Sequence, residues 1–172
     1  MILADHVPDN ALGQLTDALD RELAILDRRE KQTDELRRAI IQADDAEMES
    51  LLERMGQTDQ EQSLVDAEVG ALRAAISAMI DPRGVTMKLS ELARRLPPEG
   101  SRAIEGRRER IVRKIGDLRR LHVETAVLLA ECARINRMLL DTMLRGGGTV
   151  ATYDARGAHH RARSGGLLSA EL

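Results

Sequence analysis

Apolar residues recur at intervals of three and four from the start of the chain's first long segment. Leu12, Leu15, Leu19, Leu23 and Leu26 form one run, and Leu36, Ile40, Ala43, Met48, Leu51 and Met55 resume it. Between them lies DRREKQTDE, residues 27 to 35, without a hydrophobic residue. This spacing lays one apolar stripe along an α-helix, and predicts a single first helix from about Asn10 to Met55, ended by Gly56 as its C-cap. The polar interval then reads as solvated helix, not as a hinge or recognition face. At 1.5 Å of rise per residue the helix would be about 65 Å long and would need a partner helix along it.

Thr58 with Glu61, in TDQE, offers a capping box for a second helix carrying Leu64, Leu72, Ile76, Met79 and Ile80. Asp81-Pro82-Arg83-Gly84 is turn chemistry. Thr86 then caps a short helix in MKLSELARRL, which Pro97 and Pro98 stop. The last helix runs from about Ser101 to Arg145. Its seam fits one heptad register: Ile104, Arg108, Ile111, Ile115, Leu118, His122, Thr125, Leu129, Cys132, Asn136, Leu139 and Met143. Nothing alternates with period two, so no sheet is expected beyond a stray strand near the C-terminus. The first and last helices each have one stripe that water would wet, and are expected to lie along each other while the shorter two return the chain. The fold class is therefore all-α: an elongated antiparallel helical bundle over 1–145, with two long helices and two shorter intervening ones. Residues 146–172, rich in Gly and Arg and without apolar period, are expected to be a flexible tail.

Composition narrows the function. Aromatics make up 1% of the chain, with no Trp or Phe, so the rigid walls of a small-molecule pocket are missing. The charged fraction, 32%, suits long helices packed side by side. A net charge of −3 argues against a protein made to coat nucleic acid. Cys132 is the single cysteine, which fits a reducing compartment; the opening MILADHVPDN has no signal-like apolar region and no run of 18 apolar residues occurs, so a soluble, cytoplasmic protein with no membrane insertion is expected.

Catalytic chemistry finds no support in the residues. The three glycines at 146–148 follow a helix and have no strand before them, unlike a phosphate-binding loop. Cys132 lies in an apolar helical run, where a thiol is usually filler. His122 reads as a partly buried packing histidine. His159 and His160 with Asp154 would make a poor metal site in a Gly-rich tail, so neither metal nor cofactor is expected. TMKLSELARRL looks like the first helix of a helix-turn-helix, but PPEG intervenes before any recognition helix, and packing of Leu89, Leu92 and Leu96 onto the bundle is the expected role.

A binding function remains. Asn136 is a polar amide at a heptad core position, a device that fixes register or partner choice. Beyond it Met138, Leu139, Leu140, Met143 and Leu144, with Ile135 before them, surround the helix more widely than one internal seam needs. Such an end can receive an amphipathic helix from another protein.

The order of features, a long leucine-rich first helix and then a final helix with ECARINRMLL followed by RGGGTVATYDARG, resembles the FlgN family of flagellar export chaperones. Cys132, Arg134, Asn136, Thr152, Tyr153 and Gly157 match its Cys-Arg-x-x-Asn-like run and its Thr-Tyr-x-x-x-Gly motif in kind and order; Leu139 and Leu140 stand where the family often has a second Asn and a Gly. The resemblance implies a non-catalytic chaperone for hook-associated flagellar proteins, FlgK- and FlgL-like clients of the type III export pathway. It implies that the end of the last helix, Ile135 to Leu144, pairs with the client's C-terminal helix. It also implies that Tyr153 contacts the cytoplasmic domain of the export gate. Two other classes fit the residues, a self-associating coiled-coil scaffold and a nucleic-acid-binding regulator using ELARRL and GRRER.

Overall fold

The computed structural model describes residues 8–81, 85–145, 150–153 and 159–162. Among them the protein is all-α apart from one small ladder. Its helices are α1 (Asp9–Gln42), α2 (Asp45–Ile80), α3 (Leu89–Arg95) and α4 (Pro98–Arg145), followed by strands β1 (Val150–Tyr153) and β2 (His159–Ala162). The molecule divides into two compact units, Met1–Thr125 and Ala126–Leu172.

In the first unit the expected single helix from Asn10 to Met55 is two helices. Ala43 takes the left-handed conformation, φ 53° and ψ 40°, and closes α1. Asp44 then accepts a hydrogen bond from the Glu47 N–H at 3.0 Å and caps α2, with Asp45 and Glu47 complementing the positive end of the helix dipole. Gly56 is consequently an exposed residue inside α2 and not a C-cap, and Thr58 is a buried mid-helix residue and not an N-cap.

The turn folds α2 back along α1, and cross-helix ion pairs give the register: Arg21 with Glu68, Arg28 with Glu61 and Glu35 with Arg54. Through Thr125, α4 lies along α1 in the same direction, since its partners advance together. Arg107 holds Asp20 through two bonds of 2.6 and 2.9 Å, Lys114 reaches both Asp27 and Glu30, and Arg37 meets Glu124. The first and last helices thus run alongside each other, as their stripes predict, while α2 is the antiparallel member.

The seam between them is aliphatic. Leu15, Leu19, Leu23 and Leu26 of α1 pack with Val65, Val69 and Ile76 of α2 and with Ile104, Ile111 and Leu118 of α4. Each such side chain contributes roughly 1.5–3 kcal/mol by leaving water. The chain carries no Phe or Trp to do this work. The polar interval 27–35 is continuous helix, but it is not wholly solvated: Gln32 and Thr33 are buried inside the bundle.

Leu92, Ala93 and Leu96 are buried and Leu89 partly so, which is the packing role expected of α3. Thr86 is exposed and does not cap it; Lys88 occupies the N-cap position with no side-chain bond. The approach to α3 is fixed instead by the Met87 N–H, which donates to Ser77 Oγ at 3.0 Å. Leu96 is extended before Pro97, and α4 starts at Pro98 rather than Ser101, a position where proline's missing N–H costs nothing. Of the Asp81–Gly84 turn, residues 82–84 lie outside the described residues.

In the second unit α4 continues to Arg145, and β1 pairs antiparallel with β2, Val150 opposite Ala162 and Tyr153 opposite His159. The strand expected near the C-terminus is therefore one of a pair. The flexibility expected of 146–172 concerns mainly residues outside the described ones.

Candidate partner-binding surface

Burial along α4 follows the seam only part of the way. Ile104, Ile111, Leu118 and Thr125 are buried, yet none of the described residues from Ala126 to Leu144 is. The last ion pair between α1 and α4 is Arg37 to Glu124, and α1 ends five residues after Arg37, at Gln42.

The heptad line also departs from the line of burial. An undistorted α-helix drifts about 20° per heptad, so a straight continuation from Thr125 passes through Leu128, Cys132, Ile135 and Leu139. Leu128 on that line is partly covered, as is Cys132, which both lines share, whereas Leu129 and Asn136 on the heptad line are exposed; further on, Ile135 and Leu139 are exposed as well. His122 is exposed too, and does not pack in a seam. Asn136 is likewise no buried amide within this chain.

Six of the seven residues singled out for partner binding are thus apolar and open to water. Ile135, Met138, Leu139, Leu140, Met143 and Leu144 range from 47% to 74% exposed. At 100° per residue Ile135 and Leu139 share one side, Leu140 and Leu144 another, and Met138 a third. Apolar side chains thus cover most of the helix circumference and leave only the strip of Arg134, Arg137 and Asp141 charged, which is more apolar surface than a solvated helix end carries without a partner. Its polar groups are tied down locally: Arg134 bonds Glu131 at 2.9 Å and the Met138 sulfur at 3.3 Å, and the Thr142 hydroxyl donates to the Met138 carbonyl.

Tyr153 ends β1, its backbone opposite His159, while Thr152 lies opposite His160. Asp154 and Gly157 lie outside the described residues. Among the described residues no group of three or more His, Cys, Asp or Glu side chains converges as metal ligands, and no helix is long and apolar enough to cross a membrane.

One surface escaped the reading of the chain. Arg21, Arg28 and Glu35 of α1 face Glu68, Glu61 and Arg54 of α2, and between the first two of these pairs lies a hollow of about 360 Å³ floored by Ala24, Ile25, Leu64 and Val65. Its only signal in the sequence is a seven-residue spacing of charges, visible once the hairpin turn is known.

Electrostatics elsewhere are structural. Lys114 has its pKa raised, chiefly by hydrogen bonds to Asp27 and then Glu30, which keeps it charged where it joins α4 to α1. Glu22, half-buried, is pushed above the usual carboxylate range by desolvation, with a smaller push from Asp66.

No protein-family model, curated protein or solved structure matches the chain.

Proposed function

We propose that this protein is a non-catalytic cytoplasmic export chaperone of the FlgN kind. It holds the C-terminal helical ends of hook-associated flagellar subunits before export. The observation that carries this reading is the exposed apolar end of α4, which continues the line buried upstream and is not covered by any of the described residues. An amphipathic helix laid along Ile135, Leu139 and Met143 would bury its stripe and theirs together, the helix-in-groove mode. Subunits that polymerise through coiled-coil ends are an aggregation hazard while free, so such cover serves them as well. Methionines at 138 and 143 adapt to more than one client surface. Tyr153 in β1 is the residue assigned to the export gate, in a weaker contact that lets the chaperone recycle.

The test uses a synthetic peptide of a hook-associated protein's C-terminal helix and the full chain. Leu139→Asp with Met143→Asp should lower peptide affinity at least tenfold, about 1.4 kcal/mol, with helicity by circular dichroism unchanged. Tyr153→Ala should leave that affinity intact and reduce export of the subunit. Unchanged affinity in the double variant would place the client site elsewhere, and loss of client binding in Tyr153→Ala would reject the division of labour.

A further inference from the structure

Of the ion pairs that cross from α1 to α2, Arg29 to Asp59 stands beside the others, and three form evenly spaced rungs. Arg21 to Glu68 and Arg28 to Glu61 are each 2.7 Å, and Glu35 to Arg54 is 3.5 Å. They recur every seven residues on both helices, at 21, 28 and 35 and at 68, 61 and 54, so they share one face. The rung side chains keep between 41% and 54% of their surface exposed, so each can still meet another opposite charge; Arg54 does so although it also holds Glu47 at 2.8 Å. Between the upper two rungs the hollow is lined by α1 and α2 alone. Leu64 stands in it 72% exposed, beside the small Ala24.

We infer that this face is a homodimer interface, covered by the same face of a second copy about a two-fold axis running parallel to the helices. Leu64 of each copy would seat against Ala24 of the other, a large residue opposite a small one.

The charge layout selects that axis. Two facing copies of one surface can be related by a two-fold axis lying along the helices or across them. Rotation about the axis along the helices keeps every rung at its own height and sets α1 of one copy over α2 of the other. Arg21 then meets the other copy's Glu68, Arg28 its Glu61 and Glu35 its Arg54, so all three rungs become four-charge networks. Rotation about the axis across the helices sets α1 on α1 with direction reversed. Centred on the middle rung it puts Arg28 on Arg28 and Glu61 on Glu61; centred on the hollow it puts Arg21 on Arg28. Only the first arrangement is complementary throughout. The third rung, with its acid on α1, also opposes a copy slid by one heptad, because Arg28 would then face Arg54. That mismatch disfavours open-ended stacking and favours a closed pair. Because the charges are at the surface, the association should weaken with salt.

The experiment is sedimentation equilibrium of the full chain, with helicity checked by circular dichroism. At about 200 µM and low salt the wild type should run at twice its 19.0 kDa, with the mass falling as salt is added. Leu64→Glu, a change at an already exposed position, should give 19.0 kDa. Arg21→Glu with Arg28→Glu makes the upper face wholly acidic, and Glu61→Lys with Glu68→Lys makes it wholly basic. Each variant should be monomeric alone, and an equimolar mixture should restore the doubled mass. A monomeric wild type overturns the inference. So does a dimer that survives Leu64→Glu, or one abolished by Leu139→Asp with Met143→Asp, which would put self-association on α4.

Discussion

Gln32 of α1 donates through Nε2 to Thr58 Oγ1 of α2 at 3.0 Å, and both side chains are buried where the surrounding seam is aliphatic. The bond is a mixed asset, because Gln32 Oε1 has no partner and is also buried. Thr58 meanwhile donates its own hydrogen to the Arg54 carbonyl, so toward Gln32 its hydroxyl acts as the acceptor.

Thr58→Val should therefore cost about 1–3 kcal/mol, since it strands the Gln32 amide in the interior. Adding Gln32→Leu should recover most of that loss and leave the double variant near or above the wild type, because a matched apolar pair replaces a half-satisfied polar one. Urea unfolding of the four proteins measures the coupling. Strictly additive losses would show that the two side chains do not depend on each other.

The hairpin turn rests on two adjacent residues with opposite prospects. Ala43 sits in the left-handed region, where a Cβ is strained, so Ala43→Gly should stabilise the protein by about 0.5–1 kcal/mol. Asp44→Ala removes the cap on the Glu47 N–H and should cost about 1 kcal/mol. Thermal melts decide both; a destabilising glycine at 43 would mean that the chain entropy it adds to the unfolded state outweighs the relief of strain.

The same turn explains what could be read from the chain and what could not. Helical content, the stripes of α1 and α4 and the packing of Leu89, Leu92 and Leu96 follow from local spacing, which tertiary structure preserves. The break at Ala43 does not, because its capping signature, Asp44 with Glu47, resembles that at Thr58 with Glu61, and Gly56 follows the apolar run like a C-cap. What favours the earlier break is burial. Folding back at residue 43 hides Val65 and Ile76 against α1, which no local rule registers. The polar interval reads as solvated for the same reason: Gln32 and Thr33 are buried only once the bundle is assembled. The open end of α4 was legible because Met138, Leu139, Leu140, Met143 and Leu144 are too apolar, on too many sides, for one seam. The charged rungs were not, because they belong to a register that only the turn defines.

Glu22 gives a pH-dependent handle on the bundle. Its carboxyl lies above the usual range mainly because α1 and α2 partly desolvate it, and the Asp66 carboxylate adds to the effect. A raised acid favours folding when protonated. The penalty it imposes is therefore present at neutral pH, where it is ionised, and fades as pH falls through its folded value to the ordinary glutamate range near about 4.3. Glu22→Gln keeps the shape and removes the charge. It should raise the melting temperature at pH 7 by about 1–2 °C, the scale of a few tenths of a kcal/mol in a chain of this size. At pH values below about 4 the variant and wild type should melt together. If the glutamine variant is instead less stable at pH 7, the ionised carboxylate is making a favourable contact that outweighs its desolvation, and the direction of the shift is reversed.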